Sequence, residues 1–253
     1  MRSRAFTLIE LLVVIATVAL LMAILLPSLS KARRAGIAIG CLANVRSLET
    51  AHVLYYDDHR GDFIDAGLSH GGLQDESVAW VNTLSAYHGG SLVTRSPGDA
   101  SPHWPIEEGG DGIPIKGTTN RFRRTSYGIN DYTARSVAPS WSETFDTLAK
   151  VPHPHATVHF LMIVEGTSDP KTDSPFAGSD HVHVVDWANG PKGIDSTPLM
   201  ASTQSEIHAH GGRPASWESI ANWAFLDGHA STLKFSRVYE TPTRNAFHPR
   251  FAR

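Results

Sequence analysis

Between Phe6 and Leu26 the chain is apolar except at Thr7, Glu10 and Thr17. A helix needs about 20 such residues to cross the hydrocarbon core of a bilayer, so this run is just long enough. Glu10 is the odd member. A carboxylate within hydrocarbon is costly and usually has a function, unless it merely sits among headgroups. An ordinary secretory signal fits less well. Arg2 and Arg4 supply a basic start, but the apolar run is longer than a usual signal core and no Ala-x-Ala-like site follows it. Lys31, Arg33 and Arg34 follow instead, so basic residues flank both ends and charge alone does not fix an orientation.

After Pro27 the helical pattern resumes. Ile37, Cys41, Val45, Leu48, Ala51 and Tyr55 recur at steps of three and four, one face of an amphipathic helix. Pro27 removes one backbone donor and bends such a helix, which membrane helices tolerate. Read continuously from Phe6 to about Asp58, the helix would be roughly 80 Å long. Its apolar face should pack on a head domain.

Composition narrows the rest. The 253 residues allow one sizeable domain or two small ones, and 41% hydrophobic with 19% charged residues suits a packed core. Formal net charge is −3. Without Arg2 and Arg4 the basic residues fall from 22 to 20 against 25 acids, giving −5. That argues against nucleic acid as a partner. Cys41 is the only cysteine, which excludes an intrachain disulfide and a cysteine-rich zinc site.

Asp57, Asp58, Asp62 and Asp65 surround Gly61 and read as solvated turn acids, with no EF-hand spacing. From Gly61 to Pro154 the chain is turn-rich. Val78–Val81 suits either a helical turn or a strand, and Arg121, Arg123 and Arg124 read as a solvated face. Thr157–Val164 and His181–Trp187 are strand candidates. Asp227-Gly228 is a hairpin signal between Asn222–Leu226 and Ser231–Phe235. A three-residue connection, Asp227-Gly228-His229, would put Trp223, Phe225, Leu233 and Phe235 on one face, whereas a two-residue loop would split them.

Two stretches carry a family resemblance. A short basic leader, a small residue, Phe6-Thr7-Leu8-Ile9-Glu10 and an apolar run resemble the N-terminus of type IV prepilins and type II secretion pseudopilins. Cys41–Leu48 and Tyr55–Phe63 are similar to pseudopilin-like proteins abundant in planctomycetes and verrucomicrobia. His208-Ala-His210-Gly-Gly212, followed by Ala221–His229, resembles the C-terminal motif of prepilin-processing-associated proteins: a His, nine residues, then Asp-Gly. Here sixteen residues separate His210 from Asp227 and Gly228, with Arg213–Ser219 resembling an insertion of seven.

The resemblance implies cleavage by a prepilin peptidase between Ala5 and Phe6, N-methylation of Phe6, and a role for Glu10 in subunit assembly. Ala5 stands where the family usually has Gly, and Pro27 matches a proline common in the family. It also implies an α+β, pilin-like fold, with a long membrane helix packed on an antiparallel head. The parts would be a leader (1–5), a transmembrane and assembly segment (6–30), its amphipathic continuation (31–58) and an exported head (59–253). The expected function is that of a structural subunit of a type II secretion pseudopilus or related type IV filament in the cytoplasmic membrane. Its partners would be the peptidase, other pilin or pseudopilin subunits and the membrane. A membrane-anchored surface-binding protein using the same export route is the alternative.

Fourteen histidines sustain a metal-binding reading. His153/His155, His181/His183 and His208/His210 are each His-x-His, and on a strand alternate residues share a face. No His-Glu-x-x-His, nucleophile elbow or phosphate loop accompanies them. The expectation is therefore no catalytic residue, no metal and no cofactor.

Overall fold

The computed structural model describes residues 7–68, 70, 76–88, 93–118, 121–140 and 143–253. Ala5 and Phe6, the expected cleavage and methylation positions, lie outside them. The chain divides into two compact units, Met1–Ile37 and Ala38–Arg253.

In the first unit the helix begins at Leu8. Its start is a capping box: Thr7 N and Oγ1 donate to Glu10 Oε2 (2.8 and 2.9 Å), while Glu10 N donates to Thr7 Oγ1 (3.3 Å). Large apolar side chains from Leu8 to Leu29 are exposed. This helix is long and apolar enough to cross a membrane, with a mean hydropathy of 2.9 over its most apolar window. Helix α1 runs from Leu8 to Asp58 with Pro27 inside it.

In the second unit, the α1 residues Cys41, Val45, Leu48, Glu49, Ala51, His52 and Tyr56 are buried. The apolar members match the expected face, with Tyr56 rather than Tyr55 at its end. Val45 and Leu48, fully enclosed, each contribute about 1.5–3 kcal/mol. Arg60 and Gly61 take positive φ (60° and 89°) and turn the chain out of the helix.

The rest is α+β, built from short pieces. Val78–Val81 is helical on either side of Ala79: a 3₁₀ turn, Glu76–Val78, and α2 (Trp80–Thr83) flank that residue, which is extended and bridges to Asp65. Strand β1 (Tyr127–Asn130) lies between β2 (Phe160–Met162), antiparallel to it, and β3 (His181–Val182), parallel to it. The central sheet is thus mixed, a departure from the expected purely antiparallel head. Helix α3 (Thr197–Ser202) precedes the antiparallel hairpin β4 (Ile220–Ala224) and β5 (Ala230–Lys234). Helix α4 (Phe235–Val238) and the small pair β6 (Tyr239–Thr241) and β7 (Arg244–Asn245) complete the chain. β2 and β4 are joined by His159 N donating to Ala224 O (2.8 Å) and Leu226 N donating to Thr157 O (3.1 Å).

Two expected strands are shorter than their apolar patterns. The Thr157–Val164 segment is ladder only over β2, with single bridges at Val158 and Ile163. The His181–Trp187 segment leaves the sheet after Val182 and becomes a 3₁₀ turn, Val184–Ala188. Side chains take over the backbone groups there: His183 N donates to Gln204 Oε1 (2.8 Å) and Val184 N to Asp131 Oδ1 (3.2 Å).

The hairpin register differs by two residues from the expected one. Trp223 pairs with Ser231 and Ala221 with Leu233, and Phe225 N donates to His229 O (2.9 Å). The connection is therefore Leu226-Asp227-Gly228. Gly228 N donates to Phe225 O (2.9 Å) and Gly228 has φ +96°, the left-handed third residue of a three-residue loop. A two-residue shift preserves facing, so Trp223, Phe225 and Phe235 are still buried in one core and Leu233 packs against it.

Candidate functional site

The C-terminal motif brackets β4. His210 N donates to Ile220 O (3.0 Å) at one end, and Asp227-Gly228 forms the tip at the other. Gly211 bridges to Ile220, which brings the two ends of the 212–219 loop together at the start of β4. Asp227 Oδ1 accepts from His229 N (3.1 Å) and His229 Nδ1 (2.6 Å), which is turn chemistry. His210 is half-buried, and burial lowers its pKa.

Among the described residues, two groups bring three ligand-type side chains together. The first is His70, His181 and His183, with one ligand atom of each within 4.8 Å of the others. His181 opens β3, paired with Ile129 of β1, and His183 follows directly after the strand. Gly128 permits this approach, because a Cβ there would stand 3.1 Å from the Asp180 carbonyl carbon and 2.3 Å from Ile163 Cδ1.

Asp180 is tied down from several sides. Its main-chain oxygen accepts from Trp80 Nε1 and Ile129 N (both 2.9 Å), and Oδ2 accepts from Gly67 N (2.9 Å). Its Oδ1 faces His181 Nδ1 at 3.0 Å. His181 is fully buried and its Nε2 has no hydrogen-bond partner. His70 Nε2 and His183 Nε2 lie 2.8 Å apart. His183 Nδ1 looks toward Asp131 Oδ2 at 3.9 Å, beyond hydrogen-bond reach, and that buried oxygen has no other partner. Phe176 stacks on His70 with ring centres 4.1 Å apart. Burial, with the neighbouring imidazoles, pulls His70 and His183 down to about 4. Burial pushes the Asp131 carboxyl well up.

The second group is Glu49, His52 and His159, all fully buried. Glu49 and His52 are one turn apart on α1, and His159 immediately precedes β2. Glu49 Oε1 meets His52 Nδ1 and Oε2 meets His159 Nδ1, each at 2.9 Å. The two rings lie 4.3 Å apart, and Phe63 covers His52 edge-on. Burial lowers His52 to about 4 and His159 to about 3, and raises Glu49.

The other candidates stay apart. His153 and His155 are exposed on a 3₁₀ turn with ring centres 6.1 Å apart. The turn acids serve local partners: Asp65 Oδ1 accepts from Ser136 N (3.0 Å) and Asp58 Oδ2 from Tyr87 OH (3.1 Å). The arginine run is not the solvated face expected. Arg123 is buried, with Nε donating to Asp99 Oδ2 (2.8 Å) and Nη1 to Val164 O (2.8 Å). Its charge is paired and its donors are satisfied, which burial of a cation requires. Arg121 and Arg124 do face outward, toward Glu76 and Asn82.

No protein family, curated protein or solved structure matches this chain. Sequence reasoning missed Glu49, His52, His159, His70, Asp131 and Asp180. A signal existed for two of them. Glu49 lies one turn after Val45, and His52 one turn after both Leu48 and Glu49, so the two continue the face that Val45 and Leu48 bury.

Proposed function

We propose that the chain is a pilin-like subunit, anchored by α1 in the cytoplasmic membrane and assembling with like subunits into a type II secretion pseudopilus or related filament. The observation that carries this reading is the exposed apolar helix from Leu8 to Leu29, whose one acid is Glu10. Such a surface needs lipid before assembly and other apolar helices after it. The resemblance of Phe6–Glu10 to prepilins and of His210, Asp227 and Gly228 to the processing-associated motif supports the same reading. Cleavage before Phe6, its methylation and export of the head follow from it.

Glu10 has two possible jobs, and they separate chemically. As the acid of a capping box it needs only an acceptor, and Gln serves there. As a docking group it needs charge, to attract the amine of Phe6 on a neighbouring subunit across a low-dielectric helix bundle. Glu10→Gln keeps the cap and removes the charge. Expressed as the only copy, it should insert and be cleaved normally but be absent from sheared filament fractions, as should Glu10→Val. Normal filament yield from Glu10→Gln would reduce this acid to a helix cap and remove the docking mechanism.

A further inference from the structure

We propose that His70, His181 and His183 form a zinc site, with three imidazole ligands and solvent in the fourth position. The inference stands independently of the filament reading.

It rests on where the protons of the three rings can be. Asp180 Oδ1, 3.0 Å from His181 Nδ1, fixes the proton on that nitrogen. Nε2 of His181 is then a bare lone pair, fully buried and without a partner. His183 is not fixed in this way, since its Nδ1 stands 3.9 Å from the unpartnered Asp131 Oδ2, beyond hydrogen-bond reach. His183 Nε2 and His70 Nε2 sit 2.8 Å apart, so one of the two carries their shared proton and the other is a lone pair. One proton between His70 and His183 satisfies that pair and does nothing for His181. A cation bound to all three nitrogens satisfies the whole group.

The donor set selects the ion. Three neutral imidazoles without a carboxylate or thiolate among the ligands suit zinc or a similar transition metal, and do not suit calcium or magnesium. A carboxylate behind a ligating histidine, as Asp180 stands behind His181, is the usual outer partner of zinc-bound imidazole. Two nitrogens on a tetrahedral zinc are about 3.3 Å apart for Zn–N bonds of about 2.0–2.1 Å. The His70–His183 pair therefore has to open by about half an ångström. His70 and His183 are only half-buried, so their rings have room to do so and the ion has a way in.

The test uses the full chain in detergent, stripped with a chelator and titrated with Zn²⁺ alone. One zinc per chain is expected, with X-ray absorption showing a nitrogen shell that includes three imidazoles. His70→Ala and His183→Ala should each weaken binding at least 100-fold, whereas His153→Ala should leave it unchanged. Asp180→Asn should weaken it about 10–100-fold by loosening His181. No zinc bound at micromolar concentration would overturn the proposal. So would zinc retained in His70→Ala and lost in Glu49→Gln, which would place the ion in the other cluster. If a variant fails to fold, wild-type stoichiometry and the absorption shell decide alone: a shell with fewer than three imidazoles rejects the site.

Discussion

The two histidine clusters contain nearly the same parts and reach opposite solutions. In the Glu49 cluster two Nδ1 atoms converge on one carboxylate, each at 2.9 Å, and the two Nε2 atoms are buried without a partner. In the His70 cluster Asp180 stands behind His181, His70 and His183 meet at their Nε2 atoms, and a ring nitrogen of His181 lies within 4.8 Å of ligand atoms of both. Moving the acid from the centre to the periphery changes what meets in the middle: two Nδ1 atoms on a carboxylate in one cluster, imidazole nitrogens on one another in the other. Position matters as well. The first cluster sits between α1 and β2 with all three members sealed, while the second has two half-buried rings at the surface. One is placed to hold the helix on the sheet, the other to meet an ion.

The largest effect should come from removing the acid at the centre of the sealed cluster. Glu49→Ala leaves two fully buried imidazoles without their shared acceptor and opens a cavity. Each buried donor left unsatisfied in this way typically costs about 1–3 kcal/mol, with the cavity cost added. Glu49→Gln keeps one acceptor and one donor, and neutral imidazoles can change tautomer to suit, so its cost should be about 1–2 kcal/mol. Denaturant unfolding of the two variants measures the ratio. Equal costs would mean that cavity or charge, rather than the hydrogen-bond count, governs the site.

Zinc should act only on the other cluster, with a smaller effect. At a free concentration 100 times the dissociation constant, a ligand bound only by the folded state stabilises it by about 2.7 kcal/mol. The wild type should gain that amount and His70→Ala none of it. Glu49→Gln should gain as much as wild type, because its three ligands are untouched. A zinc-dependent rise in thermal midpoint that survives in His70→Ala would erase the distinction between the clusters.

How much of this was legible depended on whether the signal was local. The apolar run and the α1 face were readable because periodicity is a property of neighbours. His181 and His183 were readable as a pair for the same reason. Their third member was not. His70 lies 111 residues before His181, and only the parallel placement of β3 beside β1 sets the pair in place for it. Arg123 was misread as solvated because its partner, Asp99, lies 24 residues away, and a charge run carries no mark of which member turns inward. The β3 strand was overread because alternation continued past Val182, while the backbone groups of His183 and Val184 had found side-chain acceptors instead. The hairpin was right in facing and wrong by two in register. Facing depends on parity, which the apolar residues fix, and register depends on which residue of Leu226-Asp227-Gly228 takes the left-handed position.

The smallest effect concerns acid, and its sign follows from the histidines. His159, at about 3 when folded, faces Glu49 and His52. In an unfolded chain it would protonate near 6.5. Between those values the unfolded state binds a proton that the folded state refuses, so stability is full above about pH 6.5 and falls as pH drops below it. Each such histidine adds at most about 1.4 kcal/mol per pH unit to the slope. Glu49 works in the opposite direction: its raised value favours the folded state at low pH and is lost as pH rises through it. His183 faces His70, His181 and Asp131 and is also depressed, to about 4, but it is half-buried and solvent screens part of the effect. His159→Asn retains a donor near the Nδ1 position and removes the titration. It should flatten the acid limb between pH 6 and 4 (roughly the window set by those values) by nearly a full proton. His183→Gln should flatten it by less. Denaturation midpoints taken every half unit across that window compare the two. If His183→Gln flattens the limb as much as His159→Asn, the second cluster is as sealed as the first, and the open route for an ion is gone.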